Sequence, residues 1–263
     1  MKCKFYFDRK GRILEEEVKM STRVLLASAI VLLVVLLTGP LGYRFELVPL
    51  QPSLVSLLIA IAGGLLVTLV GLVYVVIAIR GALPGNRNLI ILAMVLGLVP
   101  SLFITPQIAK ARSVPPIHDI TTDTDNPPAF VAILPLRANA PNGVEYGGNE
   151  AWPAEKLGET TREAYPDLDP IIMPMSVADA VDRTVSVLTE MGLDIVDVDA
   201  EAGRVEATAT TYWFGFKDDM VVRISSGDDD VVIDLRSMSR VGQSDIGANA
   251  DRIRDFIARF ESL

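Results

Sequence analysis

The sequence predicts an α+β protein with three N-terminal transmembrane helices and a soluble domain of about four antiparallel strands packed against two helices. Two observations carry this prediction. The first 109 residues hold three long apolar stretches, and the remainder alternates between helical and strand-like hydrophobic periods. The chain has 263 residues, half of them apolar. Its mean hydropathy of +0.38 suits a protein that is part membrane anchor and part soluble domain.

Three stretches are long enough to cross about 30 Å of hydrocarbon, which takes about 20 apolar residues. They are Val24–Tyr43, Ser53–Ile79 and Leu89–Ala109. The links Arg44–Pro52 and Arg80–Asn88 are short, which predicts that neighbouring helices pack as hairpins. No span contains Asp, Glu, Lys, Arg or His, and such residues usually mark ion or proton paths. We therefore interpret residues 24–109 as an anchor rather than a transporter.

Lysine and arginine near the helix ends predict the orientation. The N-terminal segment, residues 1–23, carries seven and the second link two more, against three on the opposite side. This predicts a multi-pass protein of the bacterial inner membrane with a cytoplasmic segment 1–23 and an extracytoplasmic domain 110–263. Met20 is an alternative start. Without residues 1–19 the basic residues balance, three against three, and the direction then depends on the family resemblance given below.

The soluble domain is strongly acidic. Residues 1–109 carry ten Lys/Arg and five Asp/Glu, which leaves 14 basic and 28 acidic residues in 110–263, a net charge of −14. Such a surface repels phosphate, so nucleic acid is excluded as a partner. Cys3 is the only cysteine, so no intramolecular disulfide is predicted.

Two segments of the domain lack a regular period. Phe130–Leu136 is interpreted as a short strand. Residues 137–170 are rich in Pro, Gly, Asn and Glu, and we expect an irregular arm that Tyr146 or Trp152 anchors over the domain.

The rest of the domain shows regular periods. Ser176 begins a predicted helix over 177–191, and a last helix runs from near Ser244 to Phe260. Between them alternation predicts four strands, of which the last two are joined by a hairpin at Ser226–Asp228. The strands are Leu193–Asp199, Arg204–Tyr212, Asp219–Ser225 and Val231–Ser237.

Five segments together carry a family resemblance. They are Ile117–Pro128 (IHDITTDTDNPP), Arg204–Thr208 (RVEAT), Trp213–Asp219 (WFGFKDD), Arg236–Gly247 (RSMSRVGQSDIG) and Asn249–Ile253 (NADRI). Through them, residues 115–262 resemble the bacterial domain-of-unknown-function family 1499. The resemblance implies an envelope location, because members are commonly membrane-anchored or lipoproteins, with relatives in plastids. It implies no established activity.

The one histidine lies among carboxylates. His118 with Asp119 or Asp123 is a candidate for general acid–base catalysis. The spacing fits neither a zinc site nor a calcium loop, so we predict no metal and favour an ordered turn. The sequence contains no phosphate loop, dinucleotide fingerprint or Gly-x-Ser-x-Gly elbow, so no cofactor is predicted.

Six charged residues are candidates for ligand binding. Five fall on strand positions that share the non-core face, and the sixth follows the last strand: Arg204, Glu206, Arg223, Asp234, Arg236 and Arg240. They would form a groove for an anion such as a lipid headgroup or a cell-wall carboxylate. Alternatively they form cross-strand charge pairs on a wet sheet face, which we favour because alternation alone predicts a polar face.

The aromatic segment Trp213–Phe216 links two predicted strands. It is either a turn whose rings close the core, which we favour, or an exposed patch that touches a membrane or a partner.

These observations favour a binding or envelope-maintenance protein over an enzyme. The predicted partners are the lipid bilayer and a lipid headgroup, a cell-wall glycan or an envelope protein. The alternative is an envelope hydrolase that uses His118 with a neighbouring aspartate. A position of His118 beside Arg223, Arg236 or Arg240 in an open cleft would favour that alternative.

Overall fold

The computed structural model of the protein describes residues 2–79, 87–227 and 230–262, and the side chains of these except 2–19 and 78–79. The chain divides into two compact units, Met1–Ile108 and Ala109–Leu263. Part of the predicted link Arg80–Asn88, and Asp228 of the predicted hairpin, lie outside the described residues.

The first unit is helical. It contains α1 (Lys2–Arg44), α2 (Leu50–Ile79) and α3 (Arg87–Ser113), the last of which continues into the second unit. The segments Met20–Arg44, Leu50–Ile77 and Arg87–Ser113 are long and apolar enough to cross a membrane. The prediction of three apolar N-terminal helices is therefore confirmed, as expected of a membrane protein.

Small residues bring α2 and α3 into close contact. A Cβ atom at Gly64 would lie 2.2 Å from the carbonyl oxygen of Gly97, so neither position has room for a side chain. Thr68 donates a hydrogen bond of 2.9 Å to the carbonyl oxygen of Gly64. Gly71 packs in the same way against Met94. The small residues of α2 therefore serve the packing of α2 against α3 within this chain.

The second unit contains one antiparallel sheet of six strands. They are β1 (Asp119–Thr121), β2 (Ile171–Met173), β3 (Asp194–Asp199), β4 (Arg204–Thr210), β5 (Lys217–Ser226) and β6 (Val231–Ser239). Their order is β1-β6-β5-β4-β3, and β2 pairs with the other half of the β6 edge that β1 occupies. The α+β class is confirmed, but the predicted count of four strands is wrong. Three-residue strands such as β1 and β2 are too short for alternation to reveal them.

Three helices accompany the sheet: α4 (Ala154–Ala164), α5 (Val177–Glu190) and α6 (Ala248–Ser262). The hydroxyl of Ser176 accepts the backbone N–H of Asp179 at 3.1 Å and caps α5, where the sequence predicts a helix start. Helix α4 is not predicted from the sequence, because it lies within the segment expected to be irregular. Its buried face consists of Leu157, Gly158 and Thr161, so only one large apolar residue marks it.

Helix α6 begins four residues later than predicted, at Ala248. Ile246 and Gly247 have φ of 56° and 78°, left-handed values that a right-handed helix does not contain. The Asp245 carboxylate accepts the backbone N–H groups of Gly247 and Asn249, both at 2.8 Å. Asp245 therefore caps the start of α6, although two residues with left-handed backbone lie between it and the helix.

One face of the sheet, the helix face, packs against α5 and α6. Inward side chains of β4, β5 and β6 alternate along each strand and meet apolar residues of both helices. The fully buried members include Val205, Met220, Val222, Ile233, Leu235, Val187, Leu188, Ile253, Phe256 and Phe260. Burial of each such side chain stabilises the domain by about 1.5–3 kcal/mol.

The other face is covered by residues 122–153, which we call the arm from here on. The irregular arm predicted at 137–170 overlaps it only at 137–153, because residues 154–164 form α4. Phe130 and Ile133 of the arm pack with Val221 and Met238 of the sheet. The predicted strand Phe130–Leu136 is wrong, because the segment forms a turn and a 3₁₀ helix at Leu134–Arg137. Both Tyr146 and Trp152 pack against the core, as expected for the arm's anchors.

Candidate functional site

The face under the arm, the arm face, brings together the charged residues that alternation assigns to the non-core side. It is not the wet polar surface that the sequence predicts, because the arm shields it. Glu206 shows this best, since its side chain is 0% exposed. Its carboxylate accepts the backbone N–H groups of Val131, Ala132 and Ile133 at 2.8–3.1 Å. Arg204 Nε lies 2.9 Å from the same carboxylate.

Arg236 forms a second buried ion pair. Its Nε and Nη2 donate to the two carboxylate oxygens of Asp119 at 2.9 and 2.8 Å. The remaining N–H groups donate to carbonyl oxygens of the arm, Pro128 at 3.1 Å and Val144 at 2.8 Å. The bidentate pair leaves neither Asp119 oxygen available as a catalytic base.

Asp219 is the centre of a third cluster. It accepts hydrogen bonds from Arg240 at 2.7 and 2.8 Å, from Arg137 at 2.7 Å and from Thr208 at 2.7 Å. Burial acts to raise the pKa of Asp219, but the hydrogen bonds from Arg240, Thr208 and Arg137 outweigh it and hold the pKa below its usual range.

Neither Asp219 nor Arg137 is predicted from the sequence as a member of this cluster. A signal for Arg137 existed, because it is the only lysine or arginine between Ser113 and Lys156. A single cation in an apolar segment has to find a buried partner or stay at the surface.

Arg223 forms the fourth cluster, at the far side of the face. It donates to Asp234 and to Asp123, each at 2.8 Å, and to the carbonyl oxygen of Asn126 at 2.9 Å. The other oxygen of Asp123 accepts the backbone N–H of Asn126 at 2.9 Å, so this carboxylate also orders a turn.

The six predicted ligand-binding residues therefore share one face, yet their charges are occupied. Each of the four arginines donates to at least one carboxylate, Arg204 to Asp197 and Asp199. The arrangement favours a structural role, in which ion pairs fasten the arm, over a groove open to an external anion.

His118 lies apart from this network. Its Nδ1 is 3.4 Å from the carbonyl oxygen of Gln243. In the part of the domain that the structure describes, no carboxylate is hydrogen-bonded to its ring, and Asp119 and Asp123 are engaged by Arg236 and Arg223. The hydrolase alternative gains no support from this geometry. Among the described residues, no group of three or more His, Cys, Asp or Glu could hold a metal ion.

His118 does line an open cleft of about 470 Å³ beside β1, which we call the arm cleft. One wall is Ile117–Asp119, and the other is the arm segment 141–152 with Trp152. Pockets of about 300–1,000 Å³ are typical for small ligands. None of the arginines on the arm face lines the cleft.

The cleft walls hold their shape through contacts of their own. Asn142 donates to the carbonyl oxygens of Ser239 at 3.1 Å and Gly242 at 2.9 Å, which ties the arm to the end of β6. A Cβ atom at Gly147, where φ is +70°, would lie 2.1 Å from the backbone nitrogen of Ala154. This turn therefore requires glycine.

Trp152 is half-buried at the side of the cleft. Lys156 Nζ lies 4.3 Å from the centroid of its ring and donates to the carbonyl oxygen of Ala151 at 2.8 Å. Asn149 Oδ1 accepts the backbone N–H of Ala151 at 2.8 Å. These contacts fix the ring, so the cleft presents a preformed aromatic surface beside polar groups.

A family model described as protein of unknown function (DUF1499) matches residues 119–260, more than half of the chain. The match confirms the resemblance found from the five segments of the domain. No curated protein matches the chain significantly.

Proposed function

The chain belongs to the DUF1499 family of proteins of unknown function, and we propose that it is a membrane-anchored binding protein of the bacterial cell envelope. Its α+β domain lies outside the cytoplasm and binds an uncharged, hydroxyl-rich ligand, a cell-wall glycan, in the arm cleft. The observation that carries the proposal is the composition of that cleft: a fixed tryptophan ring beside polar side chains, with no arginine or lysine in the lining.

The chemistry of the cleft supports a glycan. A sugar ring presents an apolar C–H face bordered by hydroxyl groups, and the ring of Trp152 offers a matching apolar surface. His118 and Asn149 line the same cleft and carry groups that donate and accept hydrogen bonds. Glu145 adds an exposed carboxylate that accepts them from hydroxyls.

The charge distribution argues against an anion. Asp119 lines the cleft but is neutralised by Arg236, and no arginine or lysine is among the lining residues. The whole segment 110–263 carries a net charge of −14. A neutral ligand therefore meets less electrostatic opposition here than a phosphate or a carboxylate.

The extracytoplasmic side is supported by the basic residues. Segment 1–23 and the second link carry nine of the twelve Lys/Arg near the helix ends. Three spans place the two termini on opposite sides, so a cytoplasmic N-terminus puts the acidic domain outside. A reporter enzyme that is active only outside the cytoplasm, fused after Leu263, tests this: we expect activity, and its absence would reverse the orientation.

Binding is tested with the full chain in detergent micelles, using oligosaccharides of N-acetylglucosamine as the probe. The Trp213→Phe variant leaves Trp152 as the only tryptophan. We expect a saturable change in its emission. The change should weaken in Asn149→Ala and Glu145→Ala by about 2- to 10-fold in Kd each, the value of one hydrogen bond.

Glu163→Ala is the matched control, because Glu163 is exposed and outside the lining of the cleft. Its Kd should equal that of the parent. If the oligosaccharide leaves Trp152 emission unchanged, the glycan proposal is wrong. If the oligosaccharide is cleaved and His118→Ala stops the cleavage, the protein is an enzyme and the hydrolase alternative is correct.

A further inference from the structure

The chain immediately before β1 is held in place by β6, by α6 and by the loop between them. The carbonyl oxygen of His118 accepts the backbone N–H of Ser239 and the side-chain amide of Asn249, both at 3.0 Å. The carbonyl oxygen of Ile117 accepts the backbone N–H of Asp245 at 3.2 Å. Because the backbone is fixed on both sides of its Cα atom, the His118 side chain leaves the wall of the arm cleft in a fixed direction.

The loop between β6 and α6 also fixes one nitrogen of the His118 ring. Nδ1 lies 3.4 Å from the carbonyl oxygen of Gln243. This part of the loop is tied down on both sides, since the carbonyl of Gly242 accepts the amide of Asn142 at 2.9 Å and the N–H of Asp245 is bonded to residue 117. A carbonyl oxygen only accepts hydrogen bonds, so Nδ1 carries the ring proton.

The second ring nitrogen, Nε2, is then a hydrogen-bond acceptor. A neutral imidazole carries one proton, and a proton on Nδ1 leaves Nε2 with its lone pair. Among the described residues of the domain, none is hydrogen-bonded to Nε2. His118 is half-buried and lines the arm cleft, so its ring is open to a ligand there. Nε2 is therefore an unused acceptor in the wall of the cleft.

Several other polar side chains of the lining are already engaged. Both carboxylate oxygens of Asp119 accept hydrogen bonds from Arg236. The amide nitrogen of Asn142 donates to two carbonyl oxygens near the end of β6, and the amide oxygen of Asn149 accepts a backbone N–H. Glu145 also lines the cleft, with an exposed carboxylate. A ligand therefore gains most by presenting O–H or N–H donors to the imidazole and to Glu145.

The charged groups near the His118 ring come from β1, the arm, α4, the strand ends and the start of α6. They are Asp119 with Arg236, Asp218 with Arg252, Asp219 with Arg240, Lys156 above Trp152, Glu145, and Asp245. The Asp245 carboxylate caps α6, and burial raises its pKa above the ordinary value. A test that varies the pH must therefore separate His118 from Glu145 and Asp245.

We propose that His118 selects the ligand of the arm cleft: its Nε2 accepts a hydrogen bond from a hydroxyl or an acetamido N–H of the glycan. The carbonyl of Gln243 keeps Nε2 free for this by holding the ring proton on Nδ1. The inference rests on the proposed function, since the donor belongs to the glycan. It adds a requirement, because a sugar that is methylated at that donor offers Nε2 only an ether oxygen.

Protonation of His118 reverses the role of Nε2. The imidazolium ring donates from both nitrogens, so a ligand hydroxyl that donated to Nε2 loses its acceptor. Histidine is the side chain that ordinarily changes charge between about pH 5 and about pH 8. The affinity of the cleft for a neutral glycan should therefore fall in mild acid.

The first test measures this loss with oligosaccharides of N-acetylglucosamine, the full chain in micelles and the emission of Trp152 in the Trp213→Phe background. From about pH 8 to about pH 5, Kd should rise about 2- to 10-fold, the value of one hydrogen bond. His118→Ala should already show the raised Kd at the higher pH and no further rise. His118→Gln, whose uncharged amide oxygen replaces Nε2, should bind more tightly than His118→Ala and equally at both pH values. Glu145→Ala should keep the pH dependence.

The second test reads the ring proton without any ligand. His118 is the only histidine, so a chain labelled with ¹⁵N-histidine and purified through a tag free of histidine gives the signals of one imidazole. At about pH 8 we expect a protonated Nδ1 and an unprotonated Nε2. The oligosaccharide should then shift the Nε2 signal more than the Nδ1 signal.

Three outcomes would overturn the inference. A proton on Nε2 at the higher pH would exclude it as an acceptor. A Kd that stays the same in acid, or rises equally in the parent and in His118→Gln, would assign ligand selection to other groups. Either result leaves the glycan proposal intact if the oligosaccharide still binds. Absence of binding at the higher pH overturns both the glycan proposal and the role of His118.

Discussion

Both faces of the sheet are covered by other parts of the domain, but different interactions stabilise the two covers. The helix face is an apolar core in which α5 and α6 cover alternating side chains of the strands. The arm face is covered by a chain segment with little regular structure, which ion pairs of Arg137 and Arg223 and hydrogen bonds to Glu206 hold to the sheet. Apolar contacts tolerate changes of similar volume, whereas a buried ion pair fails when one member is lost. The arm therefore depends on a few individual charges, while the helices depend on the summed area of many apolar contacts.

The largest effect is expected from Asp219→Asn. The change leaves Arg137 and Arg240 without their buried anion and should lower the free energy of unfolding by about 3–5 kcal/mol. Leu235→Ala on the helix face is the comparison, with an expected loss of about 2–5 kcal/mol from its cavity. Urea unfolding of the full chain in micelles, followed by proteolysis, measures both. Equal stability of Asp219→Asn and the parent would show that the cluster is dispensable.

Acid should release the arm before the helices. Because the pKa of Asp219 is lowered in the folded state, its contribution is complete above the unfolded value of about 3.9. The contribution is lost as the pH falls through the lower folded value. The protection of the arm's amides against hydrogen exchange, relative to the intrinsic exchange rate at the same pH, should therefore fall in acid in the parent protein. In Asp219→Asn the protection of the arm should not depend on the titration of residue 219. An equal loss of protection in acid in both proteins would show that another group causes the acid sensitivity.

Glu206→Gln should produce a smaller and local effect. The amide keeps one oxygen for the three N–H groups of residues 131–133 and turns an N–H₂ towards them. Leaving buried donors unsatisfied costs about 1–3 kcal/mol. Hydrogen exchange at residues 131–133 should accelerate while that of α5 stays constant. If α5 exchanges faster to the same extent, the two faces unfold as one unit.

The smallest effect is expected from an exposed pair. Arg254 donates to the two oxygens of Asp167 at 2.5 and 2.8 Å, but both side chains are at least 37% exposed. Asp167→Ala should change the free energy of unfolding by no more than about 1 kcal/mol. If Asp167→Ala lowers the free energy of unfolding as much as Asp219→Asn does, burial does not explain why the ion pairs of the arm face matter more.

The sequence was informative where a periodic pattern runs for several residues. It predicted α5 and the four longer strands because each repeats its period more than twice, and it predicted the three apolar helices from their length and composition. It missed β1, β2 and α4, whose patterns are too short or contain only one large apolar residue, Leu157. Alternation placed Arg204, Glu206 and Arg236 on one face, as observed.

What alternation could not predict is the cover on that face. The partners of these charged residues, Asp119 of β1 for Arg236 and the amides of arm residues 131–133 for Glu206, lie 73 to 117 residues away. No local pattern encodes such contacts. The arm cleft was missed for the same reason, since its two walls come from β1 and from residues 141–152.

The pairing of β1 with β6 also affects the order of events during synthesis. Asp119 leaves the ribosome long before Arg236, which is 117 residues further along, and β1 has no neighbour in the sheet until β6 is made. Strands that pair over such separations form late and slowly. The first strand and the arm therefore wait, unpaired, for nearly the whole domain to be translated. Any chaperone that guards this protein during biogenesis would meet the segment around Asp119 and Phe130 exposed.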